Sequence, residues 1–267
     1  MNFSCAVCGL ALFFSFFSQP LNSQTLIDPA TERKIDALLD KMTLDEKAGQ
    51  LNQYSSTFDV TGPAPEAGSN QERYRQITEG LVGSMLNVVG VEATRRAQEL
   101  AVENSRLGIP LVFAYDVIHG FKTIFPIPLA EAASWDPSVM EASARVAAVE
   151  ASAAGLHWTF APMIDIARDA RWGRIMEGAG EDPYLGSVAA VARVRGFQGD
   201  DLSAPNTLAA CAKHYAAYGF AEGGRDYNTV DISRNTLHNV ALPPFKAAAE
   251  AGVATFMNAF NELGGVP

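Results

Sequence analysis

Asp116, Arg174, Lys213 and His214 are the side chains whose types and settings could do chemistry, because each stands on or just past an apolar run. Leu111-Val112-Phe113-Ala114-Tyr115 runs into Asp116-Val117-Ile118-His119-Gly120, and Trp158-Thr159-Phe160-Ala161-Pro162 leads to Asp165 and then to Arg168–Arg174. Leu208–Ala212 ends at Lys213-His214-Tyr215, and Val253–Met257 ends at Asn258. A carboxylate such as Asp116 at a pocket mouth can accept bonds from sugar hydroxyls, bind a metal or act as a base. The plainer alternative is a turn or helix-cap carboxylate. A metal would want several His and carboxylates at ligand spacing. The chain has 4 His and neither an H-x-H nor an H-E-x-x-H pattern, so no metal or other cofactor is expected.

Arg168, Arg171 and Arg174 stand with Asp169, Glu177, Glu181 and Asp182 around Trp172. Such a run reads either as a salt-bridged surface loop or as a fixed loop whose guanidinium forks hold vicinal hydroxyls or a carboxylate. Lys213-His214 is the stronger signal, since a lysine ending an apolar strand must carry its ammonium to a polar pocket or to solvent. Met257 suits either core packing or a pocket wall.

The elements that must position these groups alternate. Strand-like runs fall near 83–89, 110–115, 158–164, 208–213 and 253–258, with helices near 92–106, 137–154, 182–197 and 234–251. Pro243-Pro244 predicts a break in the last helix. Thr31–Met42 has helical spacing, and Thr43 with Glu46 predicts a capping box opening another helix. Residues 55–72 read as a surface loop. Polar residues at successive strand ends, with helices between, are how a (β/α)8 TIM-type barrel builds its pocket. The expectation is therefore an α/β fold, the N-terminal portion of such a barrel, with about five of eight βα units present.

Composition bounds the class. At 267 residues and 48% hydrophobic content the chain can bury a sizeable core. A formal charge of −10 argues against nucleic-acid binding, which needs clustered cations. Phe3–Phe17 is apolar or small, and no charge precedes Asp28, as in an export signal. That stretch is too short for a membrane span of roughly 20 residues. Residues 1–23 are assigned as a signal peptide and 24–267 as the truncated barrel domain, periplasmic or secreted, with no stable membrane insertion after cleavage. Cys5 and Cys8 fall inside the signal, leaving Cys211 without an internal disulfide partner.

Several segments together carry a family resemblance. Tyr115–Gly120, Arg171-Trp172-Gly173-Arg174, Gly180-Glu181-Asp182-Pro183-Tyr184-Leu185 and Lys213–Gly219 resemble glycoside hydrolase family 3. Glu222–Asn228 resembles its periplasmic β-glucosidase branch, and the likeness runs from about Leu38 to Pro267. It implies a secreted, retaining, exo-acting β-glucosidase whose partner is a β-glucoside or oligosaccharide. Asp116 would take the outer hydroxyls of the terminal sugar in the −1 subsite, Arg174, Lys213 and His214 its other hydroxyls, and Met257 the pocket wall. The resemblance implies that the nucleophilic Asp, in a Ser-Asp segment, and the acid/base Glu lie beyond Pro267. The polypeptide alone is then expected to be inactive.

Two departures refine this. The loop Ala216–Phe220 lacks the His used as acid/base in the family's N-acetylglucosaminidase branch. Asp116 stands where the family's β-xylosidases tend to carry Glu, which leans towards glucose, and Phe260 replaces a Tyr of some relatives. The alternatives are a β-xylosidase or broad β-glycosidase of the same family, or a catalytically inert sugar-binding fragment.

Overall fold

The structure, a computed structural model, describes residues 28–55 and 69–267. The export-signal expectation, with Cys5 and Cys8, and residues 56–68 of the expected loop lie outside the described residues. Two units are distinguished, divided between Met42 and Thr43. In the first, helix α1 (Pro29–Leu39) is opened by Asp28, whose carboxylate accepts from the backbone N–H groups of Ala30 and Thr31.

In the second unit the expected capping box is present. The Thr43 hydroxyl accepts from Glu46 N at 3.2 Å and Glu46 Oε2 accepts from Thr43 N at 2.8 Å, starting α2 (Leu44–Gly49). There follow β1 (Gln53–Ser55), α3 (Ser69–Thr78), β2 (Ser84–Leu86), α4 (Val91–Asn104) and β3 (Val112–Tyr115). The chain continues through α5 (Pro128–Ala132), α6 (Pro137–Ala153), β4 (Trp158–Thr159), α7 (Pro183–Gln198) and β5 (Cys211–Tyr215). The last elements are α8 (Arg234–Thr236), which passes into a π-helical turn over Leu237–Ala241, then α9 (Pro243–Glu250) and β6 (Thr255–Asn258). The break before α9 falls where Pro243 was expected to place it.

All strand pairs are parallel and neighbours in chain order: β1–β2–β3–β4 and β5–β6. Isolated parallel bridges Trp158↔Ala209 and Met163↔Lys213 join the two sets. Among the described residues there are thus six strands, not the expected five. β1 adds one at the start, and the expected run 158–164 is a strand only over Trp158–Thr159. Beyond it Pro162 has no N–H, yet its carbonyl accepts from Lys213 N at 3.1 Å, and Ile164 N donates to Lys213 O at 2.8 Å. The expected loop 55–72 is corrected as well, since α3 begins at Ser69.

The main core lies between strands and helices. Met85, Phe113 and Leu208 pack with Ala97, Ala101, Ala144, Ala147, Ala148 and Ala151 of α4 and α6. Alanine on the inner helix faces lets the helices approach the sheet closely. Asp182 caps α7, accepting from Leu185 N at 2.7 Å with Pro183 at the first helical position, so the helix starts directly after the Arg168–Glu181 segment.

Candidate functional site

The expected polar residues meet at the C-terminal ends of neighbouring strands. Asp116 directly follows β3, Lys213 and His214 lie in β5, Met257 lies in β6, and Arg174 comes from the β4–α7 connection. Lys213 is 2% exposed, and its Nζ donates to Asp116 Oδ1 at 2.6 Å. The Asp116 side chain is half exposed, so the pair joins a buried ammonium to an open carboxylate. Lys213 neither lies in apolar core nor reaches solvent by itself. Met257 is the register partner of Lys213 and packs towards Ala114, Phe160 and Cys211. Parallel partners share a sheet face, so Met257 lies beside the Lys213 stem.

Arg174 is held by two parallel bonds, Nε to Glu177 Oε1 at 2.7 Å and Nη2 to Glu177 Oε2 at 2.8 Å. Its third engagement is Nη1 against His214 Nε2 at 3.3 Å, and its Cζ lies 5.7 Å from the centroid of the Tyr218 ring. His214 is 1% exposed. Asp165 Oδ2 accepts from its Nδ1 at 2.8 Å and from its backbone N–H at 2.9 Å. Trp172, also buried, donates from Nε1 to Asp226 Oδ1 at 2.9 Å and stacks edge-on against Tyr218.

The electrostatics follow these contacts. Burial opposes ionisation of Glu177, yet the hydrogen bond and charge of Arg174, with Lys213 beyond it, hold the carboxyl below its usual value. The Glu177 hydrogen bond in turn raises Arg174. Burial foremost, with the Asp226 carboxylate beside it, pushes the Tyr218 phenol up.

Other expected candidates take plainer roles. Arg171 is exposed and forks onto Asp169, as in a salt-bridged surface loop. His119 Nδ1 lies 3.1 Å from Phe125 O, within its own loop. Asp165 is 2% exposed and turned onto His214, so it does not present a free carboxylate. Phe260 is half exposed, its ring 6.0 Å from His214. Sequence reasoning left out the pairing of Glu177 with Arg174 and of Asp165 with His214. Only the placement of Asp165 after an apolar run hinted at the latter.

Among the described residues no group of three or more His, Cys, Asp and Glu is arranged to hold a metal. No helix there is long and apolar enough to cross a membrane. A cavity of about 460 Å³ lies at the opposite strand ends, bounded by Phe113 and His157, away from this chemistry.

Comparison with known proteins agrees with the architecture. Residues 43–267 match the glycosyl hydrolase family 3 N-terminal domain, beginning at the first residue of the second unit. A periplasmic beta-glucosidase of Salmonella typhimurium is 41% identical over 98% of this chain and 34% of that protein. A putative beta-xylosidase of Formosa agariphila is 33% identical over 88% of this chain and 33% of its own length. The crystal structure of a beta-glucosidase from Listeria innocua in complex with glucose superposes with a TM-score of 0.80 at 42% identity, covering 88% of this chain and 34% of that one. The chain therefore spans about a third of the length of the curated relatives it matches.

Proposed function

This chain belongs to glycosyl hydrolase family 3, and from that premise we propose that it supplies the −1 sugar subsite of a retaining, exo-acting β-glucosidase. The carrying observation is the buried Lys213 ammonium on the open Asp116 carboxylate, beside the His214–Arg174–Glu177 chain, with Asp116 at the end of β3 and Lys213 and His214 in β5. Donors and acceptors fixed in one geometry, over a Met257 wall, suit several hydroxyls of one pyranose ring. Asp116 takes the outer hydroxyls and Arg174 and Lys213 take the others, while His214, expected as a further sugar contact, is buried with Nδ1 on Asp165 and Nε2 on Arg174 and so stands behind Arg174. The glucose complex of the Listeria relative supports a glucosyl unit. Asp116 rather than Glu favours glucose over xylose, though the Formosa relative keeps a β-xylosidase as the second reading.

The six parallel strands in chain order support a TIM-type barrel as the full architecture. The name of the Salmonella relative supports export to the periplasm, with residues 1–23 as the signal. Retaining chemistry needs a nucleophilic and an acid/base carboxylate about 5–5.5 Å apart. Asp116 is engaged by Lys213 and Asp165 by His214, so neither presents a free carboxylate to act as nucleophile. No Ser-Asp dipeptide occurs in the 267 residues.

Kinetics on an aryl β-glucoside test this reading. The 267-residue polypeptide alone should show no turnover. In an active enzyme containing it, Asp116→Ala and Lys213→Ala should each lower kcat/KM by roughly 10²–10⁴, about 3–5 kcal/mol of transition-state binding. Added azide should restore nothing, because no nucleophile has been removed. Azide rescue of Asp116→Ala would make Asp116 the nucleophile and overturn the assignment.

A further inference from the structure

Asp165 belongs to none of the roles assigned above, yet it is among the most enclosed charged side chains described. It is 2% exposed, and one oxygen, Oδ2, accepts both the Nδ1 and the backbone N–H of His214. On the other side of the imidazole, Nε2 faces Arg174 Nη1 at 3.3 Å. A guanidinium can only donate, so Nε2 must offer its lone pair, and the ring proton then sits on Nδ1, where Asp165 accepts it. The same sense continues through Arg174, which donates from Nε and Nη2 to Glu177.

We propose that Asp165 is a positioning residue that holds His214 with its proton on Nδ1, so that Nε2 accepts from Arg174 and orients the guanidinium towards the sugar. The assignment rests on the glucosyl-subsite reading for its purpose, but not for its geometry. With the proton on Nε2 instead, two donors would face each other across 3.3 Å and Arg174 would lose one of three anchors. His214 thus passes the polarity of a buried carboxylate to a cation at the pocket. Asp165 touches neither sugar nor reacting atoms.

Two variants separate this role from simple packing. In Asp165→Asn the amide oxygen can take the Oδ2 position and accept both bonds. In Asp165→Ala neither acceptor remains. Long-range 1H–15N NMR correlations on the full chain read the tautomer directly, and titration with D-glucose reads its consequence. The wild type and Asp165→Asn should show a protonated Nδ1 and an unprotonated Nε2, with glucose dissociation constants within about threefold of each other. Asp165→Ala should move proton density to Nε2 and weaken glucose binding roughly tenfold, as expected for one lost charge-assisted bond. Wild-type protein with its proton on Nε2 would overturn the proposal, even if Asp165→Ala failed to fold. So would Asp165→Ala that keeps both the Nδ1 proton and the affinity. Absence of glucose binding in the wild type would instead sink the subsite reading, while the tautomer measurement still decides the role of Asp165.

Discussion

Lys213 and Asp116 form an unequal pair, because the Lys213 side chain is 3% exposed and that of Asp116 47%. Removing Asp116 strands a buried charge, whereas removing Lys213 leaves a carboxylate that water can still reach. Asp116→Ala should therefore cost more stability than Lys213→Ala, a difference of about 1–3 kcal/mol measurable by denaturant unfolding. Equal costs would show that Lys213 finds another partner. Glu177 carries a pH signature. Its carboxyl is held below the usual 4.5, so its contribution is present above that value and fades as the pH falls beneath it. The grip on Arg174 loosens over the same window, and glucose affinity should decline there in the wild type. A Glu177→Gln protein should start weaker and show less of that decline. Much of this cluster was legible in the sequence, because an ionisable residue at the end of an apolar run has few places to go. The partners Glu177 and Asp165 were not, because nothing in their spacing tells which cation or imidazole they meet.

At the scale of elements, the site depends on close approaches between its connecting segments. A Cβ on Gly219 would lie 2.1 Å from Ile166 O, and Arg168 N donates to Gly219 O at 2.9 Å. Gly219→Ala must push the Ile166–Arg168 backbone away, costing roughly 1–3 kcal/mol in stability, and glucose binding should weaken with it. Unchanged melting and affinity would show that this contact relaxes freely. At α2, the hydrogen bond from Arg106 holds the Glu46 carboxyl down at about 2. That contribution is present above the usual 4.5 and disappears as the pH falls towards 2. Wild-type and Glu46→Gln melting temperatures should then differ at neutral pH and converge in acid. The elements hidden from sequence have recognisable reasons. β1 is three residues, Gln53-Tyr54-Ser55, two of them exposed and polar, which breaks any apolar run. α3 buries Tyr74 and Ile77 but is otherwise polar, bound by Arg75 to Glu72 and Glu79, so it reads as loop. The strand expected over 158–164 was cut short by Pro162, though its backbone pairing with β5 persists.

Across the whole molecule, β6 pairs only with β5 among the described residues. Phe256 on that edge is 44% exposed, and its ring joins those of Tyr215 and Phe245. An apolar parallel edge favours association, so the 267-residue polypeptide alone should self-associate with concentration in analytical ultracentrifugation. Phe256→Lys should reduce that association; a monomer that melts cooperatively would contradict the expectation.

The central claim is that Asp116, Arg174 and Lys213 grip one glucosyl unit, with His214 behind Arg174, and calorimetric titration with D-glucose against Lys213→Met tests it most directly. Methionine keeps the buried stem and removes only the ammonium. The account predicts saturable one-to-one binding in the wild type and a loss of at least tenfold in the variant, with the fold retained by circular dichroism. Equal glucose affinity in the two proteins would contradict it.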